Sequence, residues 1–306
     1  MNKRFKPEYI ASILILIASY FLFTGSFEVL QTRSAIALWD LGHVAYFAVL
    51  TALVIKHPKL QATFSLRRSV IFLIVAFIVG LLIEWLQYGT SRQPDLGDVA
   101  YDVLGTVIVL VFYRVPHRVE IKAGVVALLL ISLWPLTKSL VDEFHASKNF
   151  PVLANFTSPY ELSRWQSSNA KLQIQTGQSE HPETLKIEFG VARFSGFGLK
   201  FFPKDWTDYK LLKLSIYNPN EQVQRVIIRL HDDKHEHVGE YKGTDRFRRV
   251  LHFKAGWNEI EIDLDDVKYA PKTRQMDMHR MANLKLFMFN NKEKITLYLD
   301  DVMLSN

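Results

Sequence analysis

Hydrophobic positions fall along this chain in two rhythms. As far as about residue 140 they form long apolar blocks, at 9–23, 35–55, 69–88, 98–113 and 121–140. A helix crossing about 30 Å of hydrocarbon needs about 20 largely apolar residues. The second and third blocks meet that length, the fourth does so when its acidic start is counted, and the fifth is the weakest. From about residue 151 the pattern changes to short alternating runs: TLKIEFG, GLKFF, LLKLSIYN, RVIIRLHD, FRRVLHF, NEIEIDL, NLKLFMF and ITLYLDDVML. A period of two, broken by turn signals such as YNPN and FKAGWN, predicts about eight strands of an antiparallel sandwich. The expected architecture is an α-helical transmembrane bundle of five spans (1–140), a linker (141–152) and an all-β sandwich domain (153–306).

Basic residues orient such a bundle. The start MNKRFK would suit a signal peptide, but the first block has no small-x-small cleavage site and further spans follow, so it is read as a helix. Lys3, Arg4 and Lys6 precede the first block; Lys56, Lys59, Arg67 and Arg68 follow the second; Arg114, Arg118 and Lys122 follow the fourth. The alternate loops hold only Arg33 and Arg92. Five spans then predict a multi-pass protein of the inner (cytoplasmic) membrane, with a cytoplasmic N-terminus and an extracytoplasmic C-terminal domain. The same basic loops account for much of the net charge of +6, so no nucleic-acid partner is expected. With no cysteine, the chain has no disulfide, thiolate metal site or cysteine nucleophile. Phosphate-cradling glycine loops, nucleophile elbows and paired-histidine zinc helices are absent from the sequence as well.

The apolar blocks carry ionisable residues at depth. Counting about 20 residues outward from Lys56, Arg68 and Arg114 puts Asp40, Glu84 and Asp98 roughly 6 Å below the outer surface, His43 about 10 Å and Asp102 about 12 Å, at about 1.5 Å per residue. Within each predicted helix these groups share a face: Asp40 with His43, Glu84 with Gln87, and Asp95, Asp98 and Asp102 together. Wet helix ends in the headgroup zone would explain Arg92 and Asp95. They serve Asp102 and His43 poorly, because an ionisable group deep in a span costs roughly 2.5–3.5 kcal/mol and normally faces a partner inside the bundle. Carboxylates in such surplus over Arg92 and His43 should share protons, or hold a cation or a cationic ligand. If the cluster is catalytic, its working residues are expected to be Asp40, His43, Glu84 and Asp98, with carboxylates as acid and base and the histidine oriented by one of them. Tyr46 and Trp85 also read as lipid-facing or core aromatics.

The stretches DLGHVAYFAVL at 40–50, GLLIEWLQ at 80–87 and RQPDLGDVAYDVLG at 92–105 resemble the motifs of the VanZ-like family of membrane proteins. That family opens one helix with an aspartate and a histidine, closes the next with Glu-x-x-Gln, and opens the third with Arg…Asp…Asp…Asn…Gly. Asp40, His43, Tyr46, Glu84, Gln87, Arg92, Asp98 and Gly105 fall on this pattern, and Asp95 fits it. Asp102 departs from it, standing where the family usually carries asparagine. The resemblance covers roughly residues 10–115. It implies a role at the cell envelope, with a link to cell-wall and glycopeptide-antibiotic response through the family's founding member; Tyr46, Gln87, Arg92, Asp95 and Asp102 are the candidate ligand-binding residues of the polar pocket.

The second half resembles jelly-roll domains that act as carbohydrate-binding modules or share the galactose-binding-like fold. The carriers are LANFTSPYELSRW at 153–165, RLHDDKHEHVGEY at 229–241, KAGWNEIEIDLDDV at 254–267 and LYLDDVML at 297–304. A jelly roll and a cell-envelope glycan or glycolipid are implied, alongside membrane lipids as partners. Arg229, His231, Asp233, Tyr241, Arg246 and Arg248 alternate along neighbouring segments and would line one face; the competing reading is a solvated sheet face. HDDKHEH reads as a turn and not as a metal site, because its spacing in a loop fixes no geometry. Asp300 and Asp301 resemble the aspartates that hold a structural calcium ion in some such modules, with Asn155 as a third contributor. Calcium takes six or more oxygens, so the competing reading is a strand-end acid pair. The expected function is an envelope membrane protein with an outward-facing polar pocket and a glycan-binding domain, its status as an enzyme left open. The alternatives are a proton-coupled transporter and a membrane anchor displaying a binding module.

Overall fold

A computed structural model of the chain describes residues 19, 32–57, 65–87, 95–114, 117–176, 182–237 and 243–306. Apart from Ser19, the first apolar block lies outside the described residues. The other four blocks are helical: α1 (Arg33–Ile55), α2 (Leu66–Gln87), α3 (Leu96–Arg114), then α4 (Val119–Ser132) followed after one residue by α5 (Trp134–Asn149). Helices α1, α2 and α3, and the joined stretch Val119–Asn149, are long and apolar enough to cross a membrane. Thr32 starts α1 by accepting the Ala35 amide at 3.2 Å, and Asp95 starts α3 by accepting the Gly97 amide at 2.7 Å. Helix α3 packs on both α1 and α2. Its Gly105 permits the first of these contacts, since a Cβ there would run into the Val44 carbonyl and the Ala48 amide. On α2, Ile71, Ile74, Ile78 and Leu82 are each about half exposed. So long an apolar face is costly in water and at ease in lipid.

Contacts divide the chain into two units, residues 1–140 and 141–306. Residues 141–149, within the expected linker, are helical and belong to the second unit. Asp142 on α5 is fully buried and takes two hydrogen bonds of 2.8 Å from the Arg164 guanidinium, which also donates to the Leu153 carbonyl at 3.0 Å.

The second unit is a sandwich of two antiparallel sheets. Its strands are β1 (Val152–Ala154), β2 (Trp165–Ser168), β3 (Ala170–Thr176), β4 (Glu183–Phe189), β5 (Phe194–Leu199), β6 (Leu211–Asn218), β7 (Gln224–Asp232), β8 (Phe247–Phe253), β9 (Gly256–Asp263), β10 (Met281–Phe289) and β11 (Ile295–Ser305). One sheet has the order β3-β4-β11-β6-β9, with β1 also on β11; the other is β2-β5-β10-β7-β8. The inward set of the first sheet includes Leu185, Ile187, Leu214 and Leu299, and that of the second Phe197, Ile228, Leu230 and Leu286. These side chains meet in a single core that also buries Trp206.

The eight expected strands are present, with GLKFF displaced: β5 ends at Leu199 and reaches back to Phe194. Three further strands, β1, β2 and β3, complete the sheets. Replacing Asp142 by leucine would leave the Arg164 guanidinium buried without its carboxylate, at a cost of about 3–5 kcal/mol. The paired change Asp142→Leu/Arg164→Met should recover most of that loss. Thermal unfolding of the purified full-length chain, followed by tryptophan fluorescence, checks both.

Candidate functional site

Asp98 and Asp102 lie one turn apart on α3, so their carboxylates share a face. His43 of α1 reaches that face: its Nδ1 is 2.9 Å from Asp102 Oδ1 and its Nε2 is 3.7 Å from Asp98 Oδ2. All three side chains are buried. On α2, Gly80 makes room for the cluster, since a Cβ there would stand 2.6 Å from Asp102 Oδ2. Further along the same helix, the buried Glu84 accepts the Asp95 amide at 2.7 Å, at the start of α3, where the helix dipole favours a carboxylate. The structure thus brings His43, Asp98 and Asp102 into one cluster and places Glu84 of α2 at the start of α3.

The other candidates lie around this cluster. Asp40 is half-buried, one turn before His43; Asp95 is exposed; and the half-buried Tyr46 has its hydroxyl 2.7 Å from Ser19 Oγ. Arg92 and the side chain of Gln87 lie outside the described residues. Beyond Asp102 the polar line is short. Thr106 donates to the Asp102 carbonyl and receives a hydrogen bond from Thr51, each at 3.2 Å. An imidazole between two carboxylates can accept, hold or pass a proton.

In the sandwich, Arg229 and His231 point away from the core on β7, and Arg248 stands opposite Arg229 on β8. Arg246 is half-buried just before β8, and Tyr241 lies outside the described residues. Asp233 is drawn off this face into an ion pair with Lys204 at 3.0 Å. The run HDDKHEH ends in a short helical turn, Asp233–His237, held by ion pairs. His231 Nε2 lies 3.3 Å from Glu236, and His235 Nδ1 lies 3.3 Å from Asp245. Arg274 then bridges Asp232 at 2.8 Å and Asp245 at 2.7 Å. Burial pushes the His231 pKa down against the opposing pull of Glu236. Burial would raise Asp232, but hydrogen bonds from Arg274 and from the Asp277 and His235 amides hold it below its ordinary value. The Arg274 hydrogen bond likewise lowers Asp245.

The residues expected to hold calcium are engaged within the chain. Asp300 accepts the amide of Asp301 at 2.8 Å, Asp301 has a left-handed φ of 48°, and Asn155 Oδ1 takes the Thr157 hydroxyl at 2.9 Å. The Asp300 and Asn155 side chains are thus bonded to their own chain neighbours. Among the described residues, no three of His, Asp and Glu gather as a metal cage.

A constellation absent from the sequence reading lies on the outer face of the first sheet. Register places Tyr298 of β11 beside Tyr217 of β6, and Tyr217 beside Trp257 of β9. Ring centroids are 6.0 Å apart for the first pair and 5.3 Å for the second. The rings border a cleft of about 250 Å³ whose other walls include Gln175, Thr176 and Thr184. Trp257 is 37% exposed, so its ring is open to a ligand. Another cleft, of about 290 Å³, lies beside Trp206, but that ring is locked in the core.

Protein-family models give no match to the chain, and curated proteins give no significant match. No family model thus supports the VanZ-like resemblance. Among solved structures, the chain is similar to the family 11 carbohydrate-binding module from Clostridium thermocellum in complex with a beta-1,3-1,4-mixed-linked tetrasaccharide, at 13% identity and TM-score 0.40 over 51% of this chain and 94% of that one. It is similar to the family 30 module of a cellulosomal cellulase of Clostridium thermocellum at 14% identity and TM-score 0.39, over 47% of this chain and 91% of that one. An agarase is matched at 14% identity and TM-score 0.39, over 51% of this chain and 26% of that one. Likenesses this low carry no ligand over to this chain.

The carboxylates on Arg274 give a pH signature. Their pKa values lie below the ordinary 3.8, so the stability they supply is complete above about pH 4 and is lost as the pH falls through the depressed values. An Arg274→Gln variant should lose stability at neutral pH and show a flatter decline in acid. Near-ultraviolet circular dichroism of both proteins between about pH 5 and pH 2 measures the difference.

Proposed function

We propose that the chain is an integral membrane protein of the cell envelope whose sandwich binds a glycan, or the glycan of a glycolipid, on the Tyr298–Tyr217–Trp257 platform. The observation that carries this reading is the register that sets three aromatic rings side by side on adjacent strands, next to amide and hydroxyl groups. The face of a sugar ring presents C–H bonds of slight positive charge, which suit the negative face of an aromatic ring. Gln175, Thr176 and Thr184 offer hydrogen bonds to hydroxyls at the ring edge. The four apolar helical stretches support membrane insertion, and the basic loops after the second and fourth apolar blocks favour a cytoplasmic N-terminus with the sandwich outside.

Isothermal titration of the full-length chain, in a neutral detergent without a sugar headgroup, tests the platform against cellohexaose and chitohexaose. Trp257→Ala should weaken binding about tenfold, equivalent to about 1.4 kcal/mol, and Tyr217→Ala and Tyr298→Ala should act in the same direction. Unchanged affinity in all three variants would remove the platform from the reading.

The helical half supports a second activity. The Asp98–His43–Asp102 cluster, with Glu84 near it, suits acid–base work or cation binding on an envelope substrate. The VanZ-like motif residues support a link to glycopeptide response. Cells producing His43→Ala or Glu84→Gln at normal levels should lose the chain's effect on glycopeptide susceptibility. Retention of the full effect in both would count against a functional cluster.

A further inference from the structure

The second sheet carries a different chemistry on its outer face. The register of β2, β5, β10, β7 and β8 aligns Gln166, Gly198, Lys285, Arg229 and Arg248 in one row across the strands. Three cations therefore stand on three adjacent strands, which are about 4.8 Å apart. Like charges directly opposite one another destabilise a sheet, and an anion lying along the row offsets that repulsion. Beside the row, Phe194, Phe287 and Phe289 form a cluster with ring centroids 5.3–5.7 Å apart. Arg248 lies 5.9 Å from both the Phe287 and Phe289 centroids, and Lys285 lies 5.1 Å from that of Phe194. Phe289 is 49% exposed.

Two glycines shape the surface between these groups. A Cβ on Gly196 would stand 2.5 Å from Phe287 Cβ, and one on Gly198 would stand 2.9 Å from the Leu284 carbonyl. Strand β5 therefore lies close under β10 at these two positions, where both glycines are buried. Among the described residues, Asp233 pairs with Lys204 and Glu236 with His231.

We infer that this face is a second binding site, separate from the aromatic platform, and that its ligand is a glycan bearing carboxylate or sulfate groups. The acidic groups bond to Lys285, Arg229 and Arg248, and a sugar ring lies against Phe194 and Phe289. The planar guanidinium fork matches a carboxylate or sulfate through two parallel hydrogen bonds. Arg229 is only 9% exposed, so it is reached by a group projecting from a narrow chain and poorly by the flat plane of a lipid surface. A linear polymer also suits a row of cations drawn across strands.

The test uses full-length protein in a neutral detergent without a sugar headgroup. The probes are a galacturonate hexamer, its neutral galactose counterpart, and vesicles of phosphatidylglycerol. The galacturonate hexamer should bind, with an affinity that falls at least tenfold between 50 and 500 mM salt, while the galactose hexamer shows no such dependence. Lys285→Gln/Arg248→Gln should weaken the acidic probe at least tenfold at an unchanged unfolding temperature, and Lys285→Arg/Arg248→Lys should restore most of the binding. Equal binding of the acidic and neutral hexamers, an acidic probe indifferent to the double variant, or binding of vesicles without the hexamer would each overturn the proposal. The outcome is independent of the platform, whose rings lie on the other sheet.

Discussion

In each strand of the sandwich only alternate side chains can enter the core, and the strand pairings decide which outward residues become neighbours. Leu212, Leu214 and Ile216 take the inward positions of β6, which leaves Lys213, Ser215 and Tyr217 outside. A slip of one residue would turn Tyr217 into the core and Ile216 out to solvent. The hydrophobic demand of the interior therefore holds the exterior chemistry in place, although the outward residues contribute little to the core themselves. Both outer faces follow from this: aromatics on one, cations beside phenylalanines on the other.

The strands that bury most were the most legible in the sequence. LLKLSIYN and NLKLFMF correspond to β6 and β10, central strands whose apolar residues alternate or run together. WQSS and AKLQIQT, which became β2 and β3, are mainly polar and lie at sheet edges, where little core burial marks them. The glycines of FSGFGL blurred the start of β5, because residues without side chains break the visible alternation. The platform could not be read from the chain at all. Tyr217, Trp257 and Tyr298 lie far apart in sequence, and Trp257 was absorbed into a turn signal; only strand register unites them. In the helical half, spacings of three and four do report a shared face, so the convergence of Asp98 and Asp102 was legible. That His43 meets both, while Glu84 meets the start of α3 instead, depended on helix packing and was not.

The helical half follows a different logic, because a charge buried away from water needs a partner beside it. His43 and Asp102 are almost completely enclosed, and each supplies what the other needs for burial. Their approach depends on the small residues around them. Gly105 lets α3 lie close against α1, and Gly80 of α2 leaves the space that the Asp102 carboxylate uses. Two glycines with no chemistry of their own thus set the dimensions of the polar cluster.

The ion pair between Asp142 and Arg164 has a consequence for how the protein could be divided. The end of α5 reads in sequence as the spacer before the sandwich, yet Arg164 finds its carboxylate there. A fragment excised at the first strand would strip the buried Arg164 guanidinium of the carboxylate that takes two of its hydrogen bonds. The natural seam of the sandwich therefore lies inside a helix, and a soluble piece of this protein should begin ahead of Asp142.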